Sequence, residues 1–331
     1  MFVLPLLPES PLARTVYRAE EATVLNLYRW LRLRPKVSVC ITPNPKMMTP
    51  KKFVDDTRVP NHPYQELREV LHIFVTDVQA ELAGNLVGIY LVGSLALGDF
   101  DLDSDVDFLV VLNTELSAEN ASHLQAIQRK VYAIDCYPAR HLEGSYISVG
   151  TLNDLDGVGE KKLYYFDNGS TTFEQSVHDN NWHVRWILRE GGITLTGQEA
   201  HTLIPPVPVD ELLSEMKISL VHNMQAFAMS INHPLNFWNS QFGQSFAVLT
   251  HCRMMHTLHT GAIHSKKAGV EWARNSVDPQ WIKLITQAWQ DREGVRFGVK
   301  IGQRADAKLL DETLEFMQHV MTGTTHLMDP P

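Results

Sequence analysis

GSLALGDFDLDSDVDFLVVL, residues 93–112, places aspartates at 99, 101, 103, 105 and 107, and the reading of these alternating acids decides the fold. A calcium loop begun at Asp99 needs glycine at its sixth position and glutamate at its twelfth. Ser104 and Val110 stand there, so the EF-hand reading fails. Asp99, Asp101 and Asp103 precede any strand and read as a solvated acidic turn. Asp105 and Asp107 differ because they enter the apolar run VDFLVVL, where side chains alternate: the two carboxylates share one face and Val106 and Phe108 take the other. Carboxylates that close repel unless a cation lies between them, and oxygen-only ligation completed by a phosphate suits Mg2+. Upstream, the run LVGIYLV ends at Gly93-Ser94, a turn free of side-chain bulk with backbone N–H groups and a hydroxyl suited to phosphate oxygens.

Outward from this stretch, apolar residues at Leu67, Val70, Leu71, Phe74, Val75 and Val78 predict a helix over 64–82. Residues 86–92 and 106–112 read as buried strands, 117–130 as a helix opened by a Ser117 cap, and VYAIDCY (131–137) as a third strand. The stretch 143–176 carries no clear signal. A helix is expected over 179–190, stopped by Gly191-Gly192, and IPPVPVDEL reads as a linker. Beyond it, 212–231, 244–259, 266–274, 279–290 and 307–321 all read as helices, with Ser265 and Asp278 as N-caps.

The chain's 331 residues are too many for one small core and point to two lobes. Hydrophobic residues at 44% and charged residues at 20% exclude wholesale disorder. No apolar run reaches the roughly 18 residues of a membrane span. The net charge of −9 argues against a nucleic-acid-gripping protein and favours a cationic partner. Three scattered cysteines without a CxxC pair indicate a reducing, cytoplasmic setting. Residues 1–46 hold seven Lys/Arg against three Asp/Glu and differ in character from the rest, so they read as an extension, either disordered or an upstream start.

A strand, Gly-Ser, ten residues and then Asp-x-Asp on the next strand resembles the signature of the polymerase-beta-like nucleotidyltransferases. In the second lobe, FAVLTHCRMMHTLHTGAIHSKKAGVEWA (246–273) and ITQAWQD (285–291) resemble the aminoglycoside adenylyltransferases that modify streptomycin and spectinomycin, which carry VLTxxR, then TGxIxxK and xxWA. The resemblance implies an α+β architecture: a polymerase-beta-like nucleotidyltransferase domain over 47–204, with a small mixed sheet and helices, and an all-helical domain over 205–331. It implies Mg2+ held by Asp105 and Asp107, with a third acid on a neighbouring strand. Asp135, inside VYAIDCY, is the expected metal ligand and general base, although the family has a glutamate there. ATP is the implied co-substrate, its phosphates held by Gly93, Ser94 and Ser104 and by Arg253 and Lys266 from the other lobe, with Trp289 near the nucleotide. Without the family, Arg253 reads as a snorkelling surface cation and Lys266 as a solvated helix start.

The implied reaction moves AMP from ATP to a hydroxyl of a small-molecule acceptor, aminoglycoside or aminocyclitol in type, with no nucleic acid or membrane involved. The acceptor side departs from the family. Where the streptomycin enzymes have an acidic, Trp-containing approach to the VLT helix, this chain has FWNSQFGQS (237–245), with Trp238 but no carboxylate. His251, His256 and His259 make no metal-like set. Two rival functions are transfer to a protein or RNA end and nucleotide sensing without catalysis.

Overall fold

The computed structural model describes residues 65–231, 233, 236–292 and 303–325; the extension expected at 1–46 lies outside them. Helix α1 (Gln65–Leu82) forms where the 3.6-residue period buries Leu67, Val70, Leu71, Phe74, Val75 and Val78 on one stripe. Strand β1 (Leu86–Leu91) follows and pairs antiparallel with β2 (Val106–Leu112), Leu91 opposite Phe108. Between them lies the one-turn helix α2 (Gly93–Ala96). Helix α3 (Ala118–Tyr132) then carries the chain over to β3 (Leu142–Ser148), which lies parallel to β2 with Asp107 opposite Glu143. A parallel neighbour requires such a crossover.

After the short α4 (Val149–Asn153), β4 (Leu163–Phe166) and β5 (Glu174–Ser176) extend the sheet antiparallel. Helix α5 (Trp182–Gly191) leads to β6 (Ile193–Gly197) on the far side of β1, giving a six-stranded mixed sheet of order β5-β4-β3-β2-β1-β6. Strand alternation divides its residues. Ile89, Leu91, Val106, Phe108 and Val110 pack with α1 and α3, whereas Tyr90, Leu109, Val111 and Ile147 face α5 and the helices beyond. Asp107 is in phase with Leu109 and Val111, on that second face.

The strand expected over 131–137 does not form. Helix α3 runs on to Tyr132 because Ala121, Leu124, Gln128 and Val131 make one buried helical stripe, and the following turn ends in a 3-10 segment, Pro138–Arg140. An apolar run bordering a helix reads as a strand only when its period is ignored. The missing strands come instead from the unassigned stretch 143–176 and from 193–197.

The second lobe is helical as expected: α6 (Val209–Ser230), α7 (Gln241–Thr260), α8 (Lys266–Ser276), α9 (Ile282–Arg292) and α10 (Ala307–Thr325). Ser265 caps α8, its Oγ accepting from the Ala268 N–H at 3.0 Å, and Asp278 accepts from the Gln280 N–H at 3.0 Å ahead of α9. Gly269 lets α8 lie directly on α7, since a Cβ there would meet the Arg253 Cα at 2.6 Å. No described helix is long and apolar enough to cross a membrane.

One apolar cluster joins the lobes, running from Tyr90, Leu109 and Leu188 to Leu212, Met216, Val248 and Leu249. Beside it, the Glu215 carboxylate of α6 accepts the backbone N–H groups of Trp182 at 2.7 Å and His183 at 3.0 Å, donors that the start of α5 cannot satisfy itself. Burial lifts the Glu215 carboxyl to about 7, against the pull of those N–H groups and Arg185. Glu215→Ala strands two buried donors and is expected to cost about 1–3 kcal/mol in denaturant unfolding. Because the folded-state pKa is raised, Glu215 favours the fold fully below its ordinary pKa of 4.5, and this contribution is lost as pH rises to about 7. Thermal melts of Glu215→Gln should therefore lose less between pH 4.5 and 7 than those of the parent; parallel curves refute this.

Candidate active site

Between the sheet's second face and helices α6–α9 lies a cleft of about 560 Å³. Its centre is built at the β1–α2 junction. Gly93 has φ +58°, and a Cβ there would lie 1.8 Å from Asp107 Oδ2, so only glycine accommodates both the backbone turn and the carboxylate beside it. The next residue, Ser94, gives its backbone N–H to the Asp107 carboxylate. Its buried Oγ has no hydrogen-bond partner among the described residues. A buried hydroxyl without a partner is costly unless a ligand oxygen completes it.

Asp105 and Asp107 are brought together with Glu143 of β3: carboxylate oxygens of the three lie within 4.8 Å of one another. Burial, then the charges of Asp105 and Asp179, hold the Asp107 carboxyl well above its usual range. Burial, Asp105, Asp107 and Asp167 do the same to Glu143, against a hydrogen bond from Tyr165. The donors are all oxygen, converge on one point and repel one another, which fits a hard divalent cation such as Mg2+.

Asp135 is not in this site. It lies on the turn after α3 with its side chain 92% exposed, paired with Arg140 at 2.7 Å. The third acid is Glu143, whose strand was hidden because LEGSYIS mixes glycine and serine into the apolar alternation. Glutamate on a strand beside β2 is also the residue type the resemblance called for, and that type was the available signal.

Around Glu143 the Tyr165 hydroxyl donates to Glu143 Oε1 at 2.5 Å and to Asp167 Oδ1 at 3.2 Å, and His178 Nε2 stands 3.4 Å from the same Glu143 oxygen. Asn168 Nδ2 donates to Asp105 Oδ2 at 3.3 Å. Asp167 and Asp179 also line the cleft, and burial raises both carboxyls. Sequence reasoning missed all five residues, because they come from turns and the short strand β4, with no periodicity of their own.

The second lobe supplies positive charge. Arg253 of α7 and Lys266 at the start of α8 both face this acidic wall. Burial lowers both pKa values, and the charges of Asp105 and Asp107 oppose the shift. Neither is the surface cation that the bare sequence allowed. Lys266 Nζ sits 5.0 Å over the Phe246 ring.

The acidic turn is not free in solvent either. Asp99 accepts the Ser265 hydroxyl and stands 3.6 Å from Lys267 Nζ, while Asp101 is held by Arg292 at 2.5 and 3.0 Å. Ser104 donates its hydroxyl to Asp101 Oδ1 at 2.8 Å and accepts from the Asp101 N–H at 3.1 Å. It shapes the turn from the cleft wall. Trp289 lines the cleft with the Arg292 guanidinium 5.3 Å over its ring. The histidines stand apart: His251 is buried with Nδ1 2.9 Å from the Ala247 carbonyl, and His256 stacks on His264 at 3.7 Å.

Two families match the chain in sequence, one on each lobe: the nucleotidyltransferase domain over residues 68–153, and the C-terminal domain of aminoglycoside adenylyltransferase over residues 202–320. A spectinomycin 9-adenylyltransferase of Campylobacter jejuni is 26% identical over 231 residues, 68% of this chain and 83% of its own. An aminoglycoside (3'')(9) adenylyltransferase of Escherichia coli is 23% identical over 288 residues, 80% of this chain and 95% of its own. Among solved structures, a spectinomycin adenyltransferase from Enterococcus faecialis with ATP and spectinomycin has the same fold. Its TM-score is 0.56 at 16% identity, over 77% of this chain and 98% of that one.

The corrected acid trio gives a direct contrast. Glu143→Gln is expected to lower kcat for nucleotide consumption by about 100-fold or more, within the range for a lost general base. Asp135→Asn should leave it within about twofold, since its ion pair with Arg140 is exposed. The opposite ranking would return the third-acid role to Asp135.

Proposed function

The chain is an aminoglycoside adenylyltransferase-like nucleotidyltransferase, and from that premise we propose that its cleft transfers AMP from ATP to a hydroxyl of a small aminoglycoside- or aminocyclitol-type acceptor. The observation that carries this reading is the convergence of Asp105, Asp107 and Glu143 within 4.8 Å opposite Arg253 and Lys266. In this reading the lobes divide at 204–205, and the residues before 47 take no part.

The acceptor hydroxyl oxygen attacks the α-phosphorus in line, the bond from that phosphorus to the β-phosphate oxygen breaks, and pyrophosphate leaves. Glu143 is placed to take the hydroxyl proton, with Tyr165 and His178 fixing its orientation. Asp105 and Asp107, with Glu143, would hold Mg2+, which supplies charge neutralisation at the phosphates when bound. Gly93 and Ser94 form the phosphate cradle, the Ser94 hydroxyl donating to a phosphate oxygen. Arg253 and Lys266 stabilise the charge growing on the leaving pyrophosphate from the other lobe. Ser104 keeps the acidic turn in place, and Trp289 offers a ring face to the base.

These roles separate in a Mg2+-dependent pyrophosphate-release assay run with ATP and a panel of aminocyclitols and aminoglycosides. Asp107→Asn is expected to abolish turnover while circular dichroism stays unchanged; an active Asp107→Asn protein overturns the metal role. Lys266→Ala should raise the KM for ATP about tenfold or more, and an unchanged KM removes the cross-lobe clamp. Label from α-labelled ATP should end on the small molecule; label on protein or RNA would favour the rival transferase.

A further inference from the structure

Most acids of the cleft have a partner or a task. Asp105, Asp107 and Glu143 form the converging trio, Asp99 and Asp101 are tied to the second lobe, Asp167 accepts the Tyr165 hydroxyl, and Glu215 caps α5. Asp179 differs. It lies between β5 and α5 on the cleft wall, and among the described residues it has no ion pair. The groups acting on it are the charge of His178 and the hydroxyl of Ser145, a fully buried residue on the Glu143 face of β3 whose Oγ is otherwise without a partner. Asp179 is near enough to the reacting centre for its charge to be felt at Asp107 and at the Tyr165 hydroxyl. A buried carboxylate whose charge is opposed by a neighbouring histidine alone is expensive, and a cation brought by a ligand lowers that cost.

Aromatic rings line the same cleft. Phe242 and Phe246, one turn apart on α7, stack at 6.3 Å, with Phe237 packed against both at 5.7 and 6.1 Å. This is the stretch FWNSQFGQS, with Phe246 following, and it carries no carboxylate. A polycation laid along it would have its further charges desolvated without partners.

We infer that Asp179 anchors the acceptor through an ammonium group carried beside the reacting hydroxyl, while Phe242 and Phe246 receive an apolar face of the same molecule. The inference rests on the adenylyl-transfer reading of the cleft and narrows its substrate class to compact amino alcohols, aminocyclitol in type, in place of guanidinium-rich polycations. Asp179 acts on affinity and selectivity; the proton of the hydroxyl goes to Glu143.

The test compares spectinomycin and 2-deoxystreptamine with their N-acetylated derivatives, which keep the hydroxyls and lose the charge, on the full chain and on Asp179→Asn and Asp179→Glu. The parent is expected to favour the ammonium form at least tenfold in kcat/KM for one of these pairs. Asp179→Asn should erase that preference by raising the acceptor KM, with the KM for ATP within twofold, and Asp179→Glu should restore part of it. Retained preference in Asp179→Asn, a change in the ATP KM alone, or no preference in any pair overturns the assignment. Calorimetric binding of the same compounds in the presence of a non-hydrolysable ATP analogue needs no transfer. Absent pyrophosphate release would sink the transfer reading, while a tenfold loss of ammonium binding in Asp179→Asn would still support the anchor and equal binding would overturn it.

Discussion

Crowding of like charge on one wall of the cleft is the constraint around which this molecule is arranged. Asp105, Asp107 and Glu143 bring their oxygens within 4.8 Å, and Asp167 and Asp179 stand close by. Two such charges about 4 Å apart repel by roughly 4 kcal/mol even at an effective dielectric of 20. The protein opposes this only partly, with Arg253 and Lys266 across the cleft. The remaining imbalance favours occupants that bring cations of their own.

That arrangement depends on holding two lobes at a fixed separation, and the acidic turn between β1 and β2 contributes to it. Asp99 reaches Ser265 and Lys267 at the head of α8, and Asp101 takes a two-pronged bond from Arg292 at the end of α9, whose side chain is 14% exposed. A paired fork of this kind fixes orientation as well as distance. The carboxylate of Asp99 also sits at the N-terminal end of α8, where the helix dipole favours it. Residues that read as a solvated loop are thus part of the joint that presents Lys266 to the site.

How much was legible varied with how local each signal was. The β1–Gly93-Ser94–β2 unit could be read because turn chemistry, strand alternation and the Asp-x-Asp spacing all lie within twenty residues and agree. The helices of the second lobe were legible for the same reason, with Ser265 and Asp278 capping as their positions foretold. The third acid was misplaced because VYAIDCY has the composition of a strand, whereas Val131 belongs to the buried stripe of α3 and Asp135 falls on an exposed turn. Strands β3, β4 and β5 gave little signal on their own, since glycine, serine and tyrosine in short runs become strands through pairing with neighbours already in place.

By itself the amino-acid sequence determined the mixed architecture, the carboxylate pair and the Gly93-Ser94 turn beside it, and the two cations of the helical lobe. Each of these is written in a short window, where backbone period and side-chain chemistry act together. Tertiary structure alone decided that Glu143 completes the trio, that Asp99 and Asp101 join the lobes, and that Asp179 lines the cleft with no ion pair among the described residues. Those outcomes depend on which strand lies beside which and on what is left unpaired once the lobes meet, and a charge's partner across a fold is fixed by packing rather than by its neighbours in the chain.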